Sequence, residues 1–347
     1  MNDFKLHIDR SLYSGWTSLR VTRSIEQLAH SFSFDLSDRW GVEDLIPVEA
    51  GQSCKVSYNG EVRVTGWIDQ DDNSYDSESH NLSLAGRGLT GDLVDCAAAH
   101  KGGQWRNTGL LQIVTDICDP FNISVSALAD LGAVFTTFKL EDGETAYQAI
   151  ERACRRRGVL AIPAASGDVI LDRVGTKRLT TKLEYGKNIL SGAKRNSWTD
   201  RFSQYVVKAQ SRGDDNNYGK PRAGIKRTSD DAGIDRYRPT IIMADDEESG
   251  SELQKRADWE RNVRAGRAKE ISYTVEGWEH DDGLWSPNYL VTVYDPVLHI
   301  DDELLIVETE HVRSEMDGTI TNLKLSFPQA YDVQPLPRPR ATKGSVY

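Results

Sequence analysis

The stretch CKVSYNGEVRVTGWID, residues 54–69, constrains the fold more than any other part of the chain. Apolar residues alternate with polar ones on both sides of Asn59-Gly60, first in the half ending at Tyr58 and then in the half beginning at Glu61. An Asn-Gly pair between alternating runs is the strongest short signal for a β-hairpin. The stretches SFSFDLSD and HNLSLAGRG predict further strands, so residues 1–95 indicate a small β-barrel or β-sandwich.

Residues 96–180 differ in character from this first β-domain. TGLLQIVTDICDPF and EDGETAYQAIERACRRRGV each place their apolar residues on one helical face. VLAIPAASGDVILDRVG follows them as two short strands around a turn. We therefore expect a β-rich α+β fold in which a compact α+β module follows the first β-domain.

Residues 181–335 return to strand patterns and predict a second β-domain. Two features interrupt it: a polar loop at 211–235, and a charged helix at 251–269 that is polar nearly all round. A helix of that kind rests lightly on its own domain or packs against a partner. Residues 336–347 are rich in proline and basic residues and predict an extended tail.

The composition favours several small domains over one large core. Hydrophobic residues make up 38% of the 347 residues and charged residues 27%. The four cysteines (Cys54, Cys96, Cys118 and Cys154) form no closely spaced pair, which predicts buried, reduced thiols. No stretch approaches membrane-spanning length, so we expect a soluble protein.

The motif Gly86-x-Gly88-x-x-Gly91 has the spacing of a dinucleotide-binding fingerprint. That fingerprint functions only between a strand and a long helix in a βαβ unit, with an acidic residue about 20 positions further on. A short apolar stretch ending at Gly102-Gly103 follows here, and strands precede it. We interpret the glycines as turn and packing residues, and we expect no cofactor.

No metal-binding or catalytic pattern stands out in the sequence. The seven histidines are scattered without ligand spacing, and no cysteine–histidine cluster exists. Asp69, Asp71 and Asn73 begin like a calcium loop, but Ser74 and His80 occupy the positions that need glycine and glutamate. A nucleophile elbow is also absent. The sequence offers no catalytic, metal or cofactor residue.

Charge is unevenly distributed along the chain, whose net charge is −11. Residues 35–95 hold 13 acids and four bases, a net of −9, whereas residues 194–238 hold 11 bases and six acids, a net of +5. The acidic region argues against tight DNA binding there. The basic region fits either a solvated loop or a contact with an acidic partner.

The aromatic residues of VEGWEHDDGLWSPNYLVTVYDP suggest two interpretations. They either cap a small β-domain or form a contact surface, since tryptophan and tyrosine are enriched at protein interfaces. The contact interpretation, extended to the charged helix, names six interface candidates: Trp278, Trp285, Pro287, Tyr289, Trp259 and Arg264.

Three long segments together resemble the baseplate hub proteins of Mu-like contractile-tailed phages. They are GWIDQDDNSYDSESHNLSLAGRGLTGDLVDCAA, FKLEDGETAYQAIERACRRRGVLAIPAASGDVILDRVG and the stretch from GWEHDDGLWSPNYLVTVYDP to LKLSFPQAY. The resemblance extends over nearly the whole chain, from about residue 5 to residue 333.

The resemblance implies a structural protein of the virion tail baseplate, assembled in the host cytoplasm. It implies a homotrimer with two β-barrel domains in each chain, so that six barrels form a ring around a channel. Its partners would be a trimeric tail spike and tail tube or adaptor proteins, and DNA would pass through the channel without specific binding. It implies no enzyme activity and no small-molecule substrate. The acids that would line the channel are not identified by the sequence.

Two alternatives from other functional classes stay open at this point. One is a tail-associated enzyme that degrades the cell wall, with its acid pair among the 53 carboxylates. The other is a nucleic-acid-binding tail component that uses Lys194, Arg195, Lys226 and Arg227. A related spike component of a secretion or bacteriocin machine is a neighbouring possibility.

Overall fold

The computed structural model describes residues 3–38, 48–76, 80–175, 177–209, 225–244 and 250–331. These residues form a β-rich α+β fold, which confirms the predicted fold class. Four α-helices occur in them: α1 (Gly91–Asp95), α2 (Leu110–Cys118), α3 (Ala146–Arg155) and α4 (Gly250–Arg267). Short 3-10 helices lie at Lys101–Gly103, Asp119–Phe121 and Pro328–Tyr331.

Strands occupy all three predicted regions. The first contributes β1 (Phe4–Ile8), β2 (Ser11–Tyr13), β3 (Ser18–Ser24), β4 (Ser31–Asp38), β5 (Ser53–Tyr58), β6 (Glu61–Tyr75) and β7 (His80–Gly88). The second contributes β8 (Gln104–Thr108), β9 (Val125–Ala127), β10 (Phe135–Lys139), β11 (Leu160–Pro163) and β12 (Val169–Asp172). The third contributes β13 (Lys177–Arg178), β14 (Leu183–Glu184), β15 (Ile189–Asn196), β16 (Gln204–Ala209), β17 (Lys226–Asp230), β18 (Pro239–Ala244), β19 (Lys269–Glu276), β20 (Glu279–His280), β21 (Gly283–Leu284), β22 (Tyr289–Asp295), β23 (Ile300–Ser314) and β24 (Gly318–Ser326).

The described residues fall into two compact units. The larger is drawn from residues 1–155, 159–194 and 270–328, and the smaller from 156–158, 195–269 and 329–347. The larger unit therefore contains both ends of the predicted second β-domain, while the smaller contains its middle. The predicted domain boundaries at residues 95, 180 and 335 stay a prediction.

In the larger unit, strands of both β-domains form one sheet. Its order is β15-β19-β24-β23-β3-β4-β7-β6-β5-β1-β2, with β22, β13 and β14 branching from β23. Within the described part of the chain this pairing path is open and closes no barrel. The two-barrel detail of the predicted fold thus stays a prediction, whereas the shared sheet is a feature that the sequence pattern did not predict.

Strand β23 joins the two β-domains because it changes partner halfway along its length. Its first half pairs with β22, up to Leu305, and its second half pairs with β3, from Glu308 onward. The register shifts between these halves, where Val307 accepts a backbone hydrogen bond from Ile25. Such a bulge bends a strand and increases its twist, which lets one strand serve two sheets.

Each β-domain keeps its own apolar core on one face of the sheet. The first core is built around Phe4, Phe34 and Leu84, and the second around Tyr273, Ile306 and Leu325. The predicted Asn59-Gly60 hairpin joins β5 to β6, and both turn residues have positive φ angles, 51° and 82°. Positive φ at both positions is the geometry that Asn-Gly turns favour.

The α+β module has a separate core in the larger unit. Helices α2 and α3 bury the faces that their apolar spacing predicted, including Ile113, Ile117, Ile150 and Cys154. These side chains pack with Val169 and other strand residues. The two predicted helices and the two short strands that follow them are confirmed.

The smaller unit is a three-stranded sheet with α4 on one face. Strand β16 lies between β17 and β18, and Val207 packs against Leu253 and Ala257 of α4. The charged helix thus forms where it was predicted. The predicted loop at 211–235 is partly wrong, because Lys226–Asp230 is a strand paired with β16. Residues 210–224 of that loop and the tail at 336–347 lie outside the described residues.

The glycine motif has a packing role in the larger unit. Gly86 and Gly88 belong to β7, and Gly91 begins the five-residue helix α1. A Cβ atom on Gly86 would lie 2.2 Å from the carbonyl oxygen of Trp67 and 2.4 Å from the Phe32 ring. The glycines let β6 and β7 approach closely, as the sequence interpretation proposed.

Replacing Gly66 by alanine should destabilise the fold. Its Cβ atom would lie 1.8 Å from the Arg87 carbonyl oxygen, which neither strand can avoid without moving. We expect a loss of about 1–3 kcal/mol in the free energy of unfolding, measured by urea denaturation.

Gly88, the cross-strand partner of Gly66, provides the matched control. A Cβ atom there would meet its nearest neighbours at 3.7 Å, an ordinary contact distance. Gly88→Ala should leave the free energy of unfolding unchanged within about 1 kcal/mol. Equal stability of the two variants would contradict the close-approach explanation.

Candidate functional site

The face of the shared sheet opposite the cores is polar across seven strands. Because side chains alternate along a strand, the residues between the core positions of β19, β24, β23, β3, β4, β7 and β6 all project to this side. One cross-strand row is Thr274, Asn322, Glu310, Thr22, Ser31, Arg87 and Trp67. A neighbouring row is Ser18, Asp35, Ser83 and Asp72. We call this surface the polar face.

Hydrogen bonds continue along the polar face from one β-domain to the other. Thr274 donates to the Asn322 side-chain oxygen at 2.8 Å, and Asn322 donates to one carboxylate oxygen of Glu310 at 2.8 Å. Arg20 of β3 donates to the other oxygen of Glu310 at 2.6 Å. Glu310 therefore links strands from both ends of the chain.

The bases on the polar face are held in ion pairs. Arg87 donates to Asp69 and Asp95, each at 2.7 Å, and these hydrogen bonds, that of Asp95 first, raise the pKa of the guanidinium. The pairs are Arg20–Glu310, Arg87–Asp69, Arg87–Asp95 and Lys324–Glu26. A paired base has less capacity to bind a phosphate than a free one, so the face presents little attraction for a polyanion.

Two histidines are buried near the joint between the β-domains. His311 of β23 is fully buried beside Phe4, and His30 precedes β4. Burial, and next the positive charge of Arg23, lowers the pKa of His311 to about 3 and that of His30 well below its ordinary value. Both imidazoles are therefore neutral at neutral pH.

Trp278, an interface candidate from the sequence, is buried within the chain. Its ring packs against Phe4 and Tyr58 of the first core, and its indole N–H donates to the Val312 carbonyl at 3.0 Å. The residue follows β19, so the second β-domain inserts it into the core of the first. Trp278 thus contributes to a contact between the β-domains of one chain.

The next three candidates lie around the second core. Trp285 is 2% exposed, Pro287 is buried, and Tyr289 is partly buried with the Lys177 ammonium 5.8 Å from its ring centre. The burial of Trp285 and Pro287 favours the capping interpretation for these residues. A partner contact through Tyr289 stays a prediction.

The two candidates on α4 are partly exposed. The guanidinium of Arg256 lies 5.4 Å from the ring centre of Trp259, and Arg264 pairs with the buried Glu260 at 2.9 Å. Arg264 also lies over the Phe202 ring. A partner contact through Trp259 and Arg264 stays a prediction.

The calcium-like segment lies in β6, where extended backbone cannot wrap around an ion. Asp69 pairs with Arg87, and Asp71 accepts a hydrogen bond from the Ala50 backbone. Among the residues that the structure describes, no group of three or more acidic, histidine or cysteine side chains could hold a metal ion. In the same residues no helix is long and apolar enough to cross a membrane.

The remaining sequence predictions concern single residues. Cys54, Cys118 and Cys154 are buried, and burial raises the pKa of the Cys118 thiol to about 12, whereas Cys96 is exposed, so its predicted burial was wrong. Lys194 donates to the Leu298 carbonyl at 2.7 Å. Of the other proposed nucleic-acid-binding residues, Arg195 is exposed on β15, and Lys226 and Arg227 are exposed on β17.

Sequence reasoning missed the polar face. Its signal was present in the strands, because SLRVTRS, SFSFDLSD and NLSLAGRG each alternate small or charged residues with apolar ones. Alternation predicts two faces for each strand, but it does not show that strands from distant parts of the chain join their polar sides into one surface.

Four family models match successive parts of the chain. All four describe phage tail proteins, so the fold and these matches define a phage baseplate component. They are the Mu phage baseplate assembly protein GpP-like N-terminal domain (3–88), the second domain of baseplate hub protein gp44-like (90–173), the third domain of tail protein NMB1110-like (201–259) and the fourth domain of Mu phage baseplate assembly protein GpP (249–334).

The chain belongs to the family of the baseplate hub protein gp44 of Escherichia phage Mu, a component of the virion tail baseplate. It is 36% identical to that protein over 335 residues, which cover 94% of this chain and 88% of the relative. The crystal structure of the prophage MuSo2 43 kDa tail protein from Shewanella oneidensis matches with a TM-score of 0.85 and 31% identity, over 96% of this chain and all of that one. The tail protein from Neisseria meningitidis MC58 shares the fold, with a TM-score of 0.81 and 23% identity over 95% and 99% of the two chains.

Acid should destabilise the joint through His311. Its folded pKa is depressed, so the unfolded chain binds the proton more readily, and stability falls as pH decreases from about 6.5 toward about 3. His311→Phe removes this titration. The free energy of unfolding of the wild type should then fall more steeply, by up to about 1.4 kcal/mol per pH unit, than that of the variant.

The measurement is urea denaturation of both proteins at several pH values between 7.5 and 4. His100, which stacks on Trp105 in the α+β module, provides the control substitution His100→Phe. The control should keep the wild-type pH dependence. Parallel pH profiles for the wild type and His311→Phe would contradict a buried neutral imidazole.

Proposed function

We propose that this protein is the structural hub of a contractile-tail baseplate, a homotrimeric ring that joins the tail tube to the central spike and encloses a channel for DNA. The observation that carries the proposal is the shared sheet, in which β23 connects the two β-domains directly. A ring wall needs neighbouring domains that do not move apart, and a continuous hydrogen-bonded ladder supplies that rigidity.

We further propose that each β-domain serves as one segment of the ring, as a small barrel in the assembled hub. Two similar segments per chain would let three chains present six positions to a sixfold tube. Separate cores for the two β-domains support this arrangement, because each domain has its own apolar interior and need not borrow one from a neighbouring chain.

The polar face is the proposed wall of the channel. A strand of DNA that must pass should find hydroxyls and acids there and few free bases, because each basic contact to a phosphate adds affinity and slows passage. Asp35, Asp72 and Glu310 meet this requirement, and Arg20 and Arg87 are neutralised by partners. DNA therefore passes without specific binding.

Protein partners account for the rest of the proposal. The ring would seat a trimeric spike at one end and contact tube or adaptor proteins at the other, with no small-molecule substrate. We propose no catalytic activity for the chain. The named family members support this, as does the absence from the described residues of a metal-binding cluster.

The purified protein should be a trimer in solution. Light scattering after size exclusion should give a mass of about 116 kDa, three times 38.8 kDa. A trimer held by apolar and backbone contacts should persist at both 0.1 and 0.5 M salt. A stable monomer at every concentration, also in the presence of the spike protein, would overturn the ring proposal.

Added positive charge on the polar face should create DNA binding. Ser33 and Gln70 lie in one cross-strand row, so Ser33→Lys with Gln70→Lys adds two bases to the proposed wall. We expect at least about tenfold tighter binding of duplex DNA at 50 mM salt, measured by fluorescence anisotropy and weakened by added salt.

Glu315→Lys changes the net charge by the same amount at an exposed turn between β23 and β24. That control should bind DNA much less tightly than the double variant. Tight, salt-dependent DNA binding by the wild type itself would support a nucleic-acid-binding protein and count against free passage.

A further inference from the structure

The shared sheet of the larger unit ends in two strand segments with one open side. Strand β15 pairs with β19, and at the other end the second half of β6, Asp69–Tyr75, pairs only with β7. Strand β5 covers β6 no further than Trp67. Among the described residues no other strand pairs with either segment.

Open edges of this length need an explanation. The two segments comprise seven residues in β6 and eight in β15, each longer than the usual protected edge. An exposed edge presents unpaired N–H and C=O groups to any other strand, and proteins normally blunt or cover it. Neither segment contains proline, which would prevent pairing along part of the edge.

The two edges carry opposite charge. Residues 69–76 contain four acids and no base, a net of −4, and residues 187–195 contain three bases and no acid, a net of +3. Each edge therefore repels a copy of itself and attracts the other. This complementarity selects a second copy of the chain as the partner, with unlike edges in contact.

Exposed apolar side chains accompany both edges. Leu190 of β15 is 58% exposed and Tyr185, just before it, is 55% exposed, while Tyr75 at the end of β6 is 86% exposed. Large apolar side chains at such exposure add burial to any contact that the edges form. The edges thus have hydrogen-bonding groups, charge and apolar area available for one interface.

Side-chain direction makes two oppositely charged residues comparable. Gly192 lies against the buried ring of Tyr273, on the core side of β15, so by alternation Arg195 projects to the opposite side. Asp72 is paired in register with Ser83 on the polar face. Arg195 and Asp72 therefore project from the same face of their strands, as a cross-strand ion pair requires.

We propose that β15 of one copy pairs edge to edge with the Asp69–Tyr75 segment of β6 in the next copy. This is a contact between different surfaces, which closes into a ring when the rotation between copies permits. From β15 to β6 the sheet has eight strands, so three copies would form one continuous ring of three times eight strands. The inference rests on the trimer of the proposed function and states how that trimer is held together.

The first test reverses one charge on each edge. Asp72→Arg and Arg195→Asp should each shift the mass measured by light scattering from trimer toward monomer, because each places like charges across the new ladder. The combination of both substitutions restores opposite charges and should restore the trimer. Glu315→Arg, an equal charge reversal at an exposed turn, should leave the trimer unchanged.

The second test observes the backbone directly. Hydrogen exchange followed by mass spectrometry should show slow exchange of 69–75 and 189–196 in the wild-type trimer and fast exchange in the Asp72→Arg monomer. Protection of β23 in the same variant would show that the chain is still folded. Side-chain contact without strand pairing would leave both edges exchanging fast in the trimer, which would overturn the proposal.

The outcomes separate this inference from the function beneath it. A wild-type trimer that neither single reversal weakens would overturn the edge pairing and leave the hub proposal intact. Dissociation by both single reversals without recovery in the combination would also overturn the pairing of these two edges. A wild type that is always monomeric would remove the trimer itself.

Discussion

The pairing of β3 with the second half of β23 is the interaction on which the larger unit depends. Six residue pairs form this ladder, between strands almost 300 residues apart in the sequence. The register shift at Val307 frees the first half of β23 to pair with β22. Without that shift, the strand could complete only one β-domain, and the polar face would end at the joint instead of crossing it.

Buried groups around the ladder make the joint specific as well as strong. Trp278 fills a space in the core of the other β-domain, and the Arg313–Asp3 pair at 2.9 Å fixes the start of the chain beside β23. His311 and Thr309 are buried without a hydrogen-bond partner among the described residues, which costs free energy in any protein. A close match of apolar surfaces must offset that cost, so the joint tolerates few other alignments.

Local patterns predicted much of the fold, and long-range pairing escaped them. The Asn59-Gly60 hairpin and the helical faces of α2 and α3 follow from spacing within about 20 residues, and all are present. The β3–β23 ladder depends on surfaces that meet only after both β-domains have formed. For the same reason Trp278 looked like a surface residue in sequence, although its partner is a core in the same chain.

The orientation of the ladder has a mechanical consequence. A force that pulls the two β-domains apart along the direction of β3 and β23 loads all six residue pairs in shear, so they must break together. A force across the strands would open them one after another, which takes far less load. A hub built from this chain would therefore resist axial shock best where the strands run along the axis, and any opening would begin between copies before it began within one.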